Sequence, residues 1–494
     1  MKEFKSYFRY ISNNQLKTYG SFGRFGKGQK RTKADKLIDG IMLGKYTNDT
    51  DAANDLYGVK PDDKSYLMLK SRVKEQILNY VFQVDMKKLF ANRDYGFHIP
   101  IAHKLLAAGQ IMINFGLSIE GEAVLKECLG IAIPRKFTSI IINASRLLRS
   151  RMSFKGTMKE YQYYNKLIID NIEKQKAEIE ADDIRDALNL AYRNTFSPQD
   201  KRMLTKYWRR INVLNEKFDS YFIKANRFRI GARYYETIGD FQSIIMICNE
   251  WEEFMRANTV FYDVARHREF LNSKLEACIL LKNYNVGMET AEKCLKLHNN
   301  YSSNSLSVYE YYILLSLHTK NYHKAWELFL RAVGNALFTQ YPDERREKWR
   351  LYEAYLTFVA PDPQRKFKLF KFLNDMPVFS KDKRGINIAI IIAQIILLLD
   401  EGKFDTLMDK ADAFKIYFKR YVVKEINYRT FYFVKMLELL FKYSFDYKLV
   451  KKHAIPLYER LGDKKGHYHG DIEALEIIPY EELWRQILIR IKSE

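Results

Sequence analysis

Four short polar turns in the second half of the chain are each followed by an aromatic residue and then by apolar or small residues in helical register. After Phe241 stand Ile244, Cys248 and Trp251; after Tyr284, Gly287, Ala291 and Cys294; after Tyr322, Ala325, Phe329 and Ala332; after Phe404, Leu407, Ala411 and Phe414. Offsets of three, seven and ten put these side chains on one face of an α-helix. Successive aromatics lie 43, 38 and 82 residues apart, so a further unit is expected between Tyr322 and Phe404. Residues 344–360 and 364–373, on either side of the break Ala360-Pro-Asp-Pro363, supply a helix pair for it. A period of about forty residues built from helix-turn-helix units is the mark of stacked helical hairpins. The pattern predicts an all-α chain: an α-solenoid of stacked antiparallel helix pairs with a small N-terminal helical module.

The unit at Tyr309–Val333 resembles a tetratricopeptide repeat through Tyr322, Ala325, Phe329 and Ala332. The resemblance extends loosely over residues 220–430. It departs from the family in its irregular period, in the absence of the Trp/Leu-Gly pattern from the first helix, and in lacking a closing proline. It implies a scaffold of helix pairs that binds partners.

Outside the repeats the pattern stays helical. Residues 101–116 with 120–132, and 137–153 with 157–180, read as hairpins, with Pro134 between them. Helices are expected over 34–43, 48–56 and 64–82, the second opened by the capping residues Asn48, Asp49, Thr50 and Asp51. The third offers Lys64, Lys70, Arg72 and Lys74 to DNA if the three form a helix-turn-helix; its wide apolar surface argues for packing instead. The expected organisation is a basic arm over 1–33, a small helical (helix-turn-helix-like) module over 34–95, helical hairpins over 96–200, and a repeat array over 201–494. The stripe Trp484, Ile487, Leu488 and Ile491 marks a C-terminal capping helix.

Composition sharpens this picture. Ten prolines are present and none falls between Pro198 and Pro342, which suits helix after helix. The longest apolar run, Ile386–Leu399, is fourteen residues, too short to span a bilayer and expected as a buried central helix. The start, MKEFKSYFRYI, carries charges where a secretory leader needs an apolar stretch. Cys128, Cys248, Cys278 and Cys294 have no CxxC spacing and read as free buried thiols, so a cytoplasmic location is expected.

Charge is the remaining signal. The formal net charge is +22, and residues 1–36 and 201–233 each contribute +8. The candidate partner-binding residues are Arg24, Lys27, Lys30, Arg31 and Lys33 in the arm, and Arg202, Lys206, Arg209 and Arg210 on one helical stripe beside Tyr207 and Trp208. Bases interleaved with aromatics suit phosphate contact with base stacking, or an amphipathic helix with a wet basic face. The arm segment YGSFGRFGKGQKRTK is not a phosphate-binding loop. Gly20 and Gly26 are spaced by five residues, Gly28 follows Lys27 where Ser or Thr is required, and no apolar strand precedes. No nucleophile elbow or HExxH occurs. His467 and His469 with Asp471 are a weak metal signal, and Glu178–Asp186 lacks EF-hand spacing and reads as a solvated helix end or turn. The expectation is a non-enzymatic adaptor with no cofactor and no metal, whose partner is an acidic protein surface or segment. The alternative is a nucleic-acid-binding regulator.

Overall fold

The computed structural model describes residues 4, 32–83, 95–191, 198–297, 305–335, 338–340, 343–361, 367–375, 386–422, 428–462 and 476–492. These residues are overwhelmingly helical and contain no β-strand, and no helix among them is long and apolar enough to cross a membrane. They form two compact units, Met1–Glu173 and Lys174–Glu494.

The first unit opens with α1 (Lys33–Met42), α2 (Asp49–Tyr57) and α3 (Lys64–Gln83). Local chemistry sets their starts. Thr32 and Asp35 form a reciprocal capping box, and the Asn48 side chain accepts the Asp51 N–H at 3.0 Å. Tyr66, Leu69, Val73 and Ile77 of α3 are buried with Leu37, Ile38 and Ile41 of α1, so α3 turns its apolar stripe inward. Of its expected DNA-contacting bases, Lys70 is held by Asp49 at 2.9 Å, and Tyr66 donates to the same carboxylate at 2.9 Å.

Next come α4 (Tyr95–Asn114), α5 (Ser118–Ala132), α6 (Thr138–Lys155) and the long α7 (Met158–Ala191), whose later part belongs to the second unit. α4 and α5 approach closely where two glycines meet: a β-carbon on Gly121 would lie 2.9 Å from the Gly109 carbonyl oxygen. The segment Glu178–Asp186 is not a helix end or turn. It lies inside α7, which no proline or glycine interrupts, and three of its five carboxylates, Glu178, Glu180 and Asp182, bond to neighbouring helices, while Asp183 and Asp186 are exposed. Glu178 accepts from Ser220 at 2.5 Å, and Asp182 from Asn226 at 2.9 Å.

The second unit continues through α8 (Pro198–Lys217), α9 (Tyr221–Ile238), α10 (Phe241–Ala257), α11 (Val264–Leu280), α12 (Tyr284–Leu297), α13 (Ser305–His318) and α14 (Tyr322–Val333). Each of these from α8 to α14 packs on the next in sequence. The aromatics Phe241, Tyr284 and Tyr322 are the first residues of α10, α12 and α14. Two residues before each stands a left-handed residue: Gly239 (φ 74°), Lys282 (φ 56°) or Lys320 (φ 60°). Its N–H and the next one return to the preceding helix, as in Gly239 to Glu236 at 3.1 Å and Asp240 to Tyr235 at 2.8 Å. The following Asp or Asn often caps the next helix: Asp240 accepts the Ser243 N–H at 3.1 Å, and Asn321 the Lys324 N–H at 3.2 Å. The polar turn therefore stops one helix and starts the next.

Beyond α14 lie α15 (Asp343–Val359), the short α16 (Leu369–Asp375), α17 (Ile386–Asp400), α18 (Phe404–Tyr421), α19 (Tyr428–Lys442), α20 (Tyr447–Leu461) and α21 (Tyr480–Lys492). α15 matches the first helix expected between Tyr322 and Phe404. It packs on α14 and α17, and α17 is buried continuously from Ile390 to Leu399. Gly402 (φ 65°) repeats the turn before Phe404. A further unit follows 43 residues later at Tyr447, with Val450 and Ala454 buried and Leu457 packed on the core. Its turn is one residue longer and holds two left-handed residues, Ser444 and Phe445. α21 packs on α17 and α20, and the segment before it reaches back to α13, where His318 Nε2 donates to the Glu476 carbonyl at 2.7 Å.

Candidate functional site

α8 is the most basic helix of the second unit, and its two faces divide cleanly. Leu204, Ile211 and Leu214 are buried against Ala177, Ala181, Ile184 and Leu188 of α7 and against Ile223 and Ile230 of α9. Arg202, Lys206 and Arg209, spaced by four and three residues, share the exposed stripe. These three form no ion pair among the described residues.

The neighbouring guanidiniums differ. Arg210 grips Glu180 through two bonds of 2.5 and 2.7 Å, and this contact holds the Glu180 carboxyl below its usual range. Arg227 donates to Asn212 at 2.7 Å and to Glu250 at 3.1 Å. Arg229 is bidentate on Glu269 at 2.6 Å for both bonds, and Arg233 donates to Glu236 at 2.8 Å. Four carboxylates from elsewhere in the unit therefore offset about half of the +8 of residues 201–233, and Arg210 among the candidate residues is already engaged. The aromatics beside the stripe are engaged too. Trp208 stacks on Tyr234 with centroids 5.8 Å apart, meets Tyr235 edge-on, and carries the Arg227 guanidinium 5.5 Å from its ring centroid. Gly231 makes room for it, since a β-carbon there would sit 2.7 Å from the indole. Tyr207 packs on the same core. Neither ring is presented for stacking on a base.

Lys33 lies in the first unit with its ammonium 3.5 Å from the Tyr57 ring centroid. Arg24, Lys27, Lys30 and Arg31 lie outside the described residues, as do His467, His469 and Asp471.

Two cavities mark the second unit. A cleft of about 500 Å³ between α7, α9, α10 and α11 is lined by Arg185, Phe228, Arg229, Arg233, Glu236 and Glu269. Its arginines pair with acids: Arg229 and Arg233 as above, and Arg185 with Asp182 at 2.6 Å and Asp186 at 3.0 Å. A second cavity, of about 640 Å³, lies between α20, α21 and the turns at Lys282 and Lys320. His318 on its wall lies 3.4 Å from the Tyr284 hydroxyl. Burial lowers the His318 pKa, although Glu476 pulls the other way, so the ring is held neutral in a structural contact.

Cys128, Cys248, Cys278 and Cys294 are all buried free thiols. Burial pushes Cys128 and Cys278 up to about 11 and Cys294 to about 12, and raises Cys248 as well. None is poised as a thiolate nucleophile. Among the described residues no group of three or more His, Cys, Asp or Glu could hold a metal ion.

No protein-family model matches the sequence, no curated protein is significantly similar to it, and no solved structure matches it significantly.

Proposed function

We propose that this protein is a non-enzymatic adaptor of tetratricopeptide-like helix pairs that binds an acidic segment of a partner protein through the exposed face of α8. The observation that carries this reading is the contrast within residues 201–233: four arginines are matched to carboxylates, while Arg202, Lys206 and Arg209 face outward with no ion pair among the described residues. A cationic stripe of this kind steers and orients an anionic partner. An acidic peptide is favoured over nucleic acid because Tyr207 and Trp208 are folded into the unit, which removes the stacking platform that single strands use. Four buried free thiols suit a reducing compartment.

The test is fluorescence anisotropy with a labelled Asp/Glu-rich peptide and with a single-stranded RNA of equal charge, across a salt series. The expected result is salt-sensitive peptide binding that the triple variant Arg202→Glu, Lys206→Glu, Arg209→Glu weakens by about tenfold or more. Unchanged peptide affinity in the variant overturns the reading. RNA bound more tightly than peptide, with loss in the variant, favours the nucleic-acid alternative.

A further inference from the structure

At one end of the first unit, two helix turns expose large apolar side chains. The α4–α5 turn reads Phe115-Gly-Leu-Ser-Ile119, and the α6–α7 turn reads Phe154-Lys-Gly-Thr-Met158. Relative exposures are 82% for Phe115, 75% for Ile119, 83% for Phe154 and 69% for Met158. The two turns lie at the same end. Glu122, one turn into α5, accepts from Lys155 at 2.8 Å and Arg151 at 3.3 Å, both in the last turns of α6. Single exposed apolar residues need no explanation, whereas four on paired prongs do.

The charge around the prongs narrows what meets them. From Cys128 through Lys159 the chain has seven Lys or Arg and no Asp or Glu, and Glu127 and Glu160 flank the stretch. Lys155 and Lys159 are exposed beside Phe154 and Met158. Of the carboxylates nearby, Glu122 is held by Arg151 and Lys155, Glu160 caps the Thr157 N–H at 2.9 Å, and Glu120 stands in the first turn of α5. The apolar side chains also project from turns instead of lining a groove, so they lack the concave floor that a protein partner's anchor fills. Convex apolar prongs with adjoining lysines fit a deformable surface that is apolar below and anionic above.

We propose that this end of the first unit docks on anionic lipid bilayers. Phe115, Ile119, Phe154 and Met158 enter the boundary between headgroups and acyl chains, Lys159 meets lipid phosphate, and Lys155 exchanges Glu122 for a second phosphate. The inference is independent of the α8 surface and uses none of its residues.

Vesicle co-sedimentation of the full chain tests it, with phosphatidylcholine alone and with about 30% phosphatidylserine added. Binding is expected only to the anionic vesicles and is expected to fall as salt rises. The Phe115→Ser, Phe154→Ser variant should lower it about tenfold with unchanged helical circular dichroism, since both positions are exposed. Lys155→Glu with Lys159→Glu should abolish the preference for phosphatidylserine. A Phe115→Trp reporter should shift its emission to the blue on anionic vesicles, also in the triple α8 variant. Equal sedimentation with both vesicle types, or full binding by the double serine variant, overturns the proposal. So does apolar-patch-dependent self-association without vesicle binding.

Discussion

Arg429 gathers the polar ties at the end of the second unit. Its guanidinium donates to Glu476 at 2.5 and 3.0 Å, to Glu481 at 2.7 Å, and to the Leu461 carbonyl. Burial disfavours its charge, but the two carboxylates more than offset this and keep it protonated. Arg429→Leu would leave Glu476 buried without its partner. The expected loss is about 3–5 kcal/mol in urea unfolding, and Glu476→Gln in the same background should recover part of it. Two carboxyls act on acid stability. Burial raises Glu482, but bonds from Arg485, Lys320 and Gln486 outweigh it and hold the group at about 2. Asp49 is likewise held at about 2, because Lys70 and Tyr66 outweigh burial. Both folded values lie below the ordinary ones of 4.5 and 3.8, so their contribution is complete above those values and is lost as pH falls toward about 2. His318 acts earlier: burial keeps it neutral in the fold, so stability starts to fall as pH drops below 6.5, its ordinary value. Thermal melts at stepped pH should show Glu482→Gln and Asp49→Asn less acid-sensitive than the parent between about 4.5 and 2.

At the scale of elements, the recurring turn was legible because its signal is local. A left-handed residue, a polar cap and an aromatic are adjacent in sequence, and the following helix writes its buried face at offsets three, seven and ten. The Tyr447 unit carried the same offsets and escaped the sequence reading because its turn, with Ser444 and Phe445 left-handed, breaks the usual spacing. The turns predict opposite effects for two substitutions. Gly239 has open space around its β-position but φ of 74°, so Gly239→Val should cost about 1–2 kcal/mol through backbone strain alone. Lys282 occupies the equivalent conformation at φ 56°, so Lys282→Gly should be neutral or stabilising by up to about 1 kcal/mol. Chemical denaturation of the two variants side by side checks both signs.

For the molecule as a whole, the fold decides how much of the formal charge is open. The cluster at 201–233 looks like one basic patch in sequence, yet Glu180, Glu250, Glu236 and Glu269 take four of its arginines. Composition counts charges but does not say which are already paired. The same limit hid the tie from α21 to the middle of the second unit: His318 bonds to Glu476 and Lys320 to Glu482, at 2.7 Å each, across some 160 residues. Phe433 also stacks on Tyr480 with centroids 4.2 Å apart. A chain ending at residue 475 should therefore lose more than a terminal helix. It would uncover Phe433 and leave Arg429 without Glu476, and its melt is expected to broaden and fall, with aggregation visible by light scattering.

The sequence alone determined the helical class, the repeat-like turns, the short apolar α17 and the buried thiols, because each rests on neighbours within a few turns of chain. Tertiary structure decided which bases remain open on α8, that Tyr207 and Trp208 pack against the core, that Glu178, Glu180 and Asp182 bond to other helices, and that two apolar prongs share one end of the first unit. Pairing and burial depend on side chains brought together from distant positions, and no local period records them.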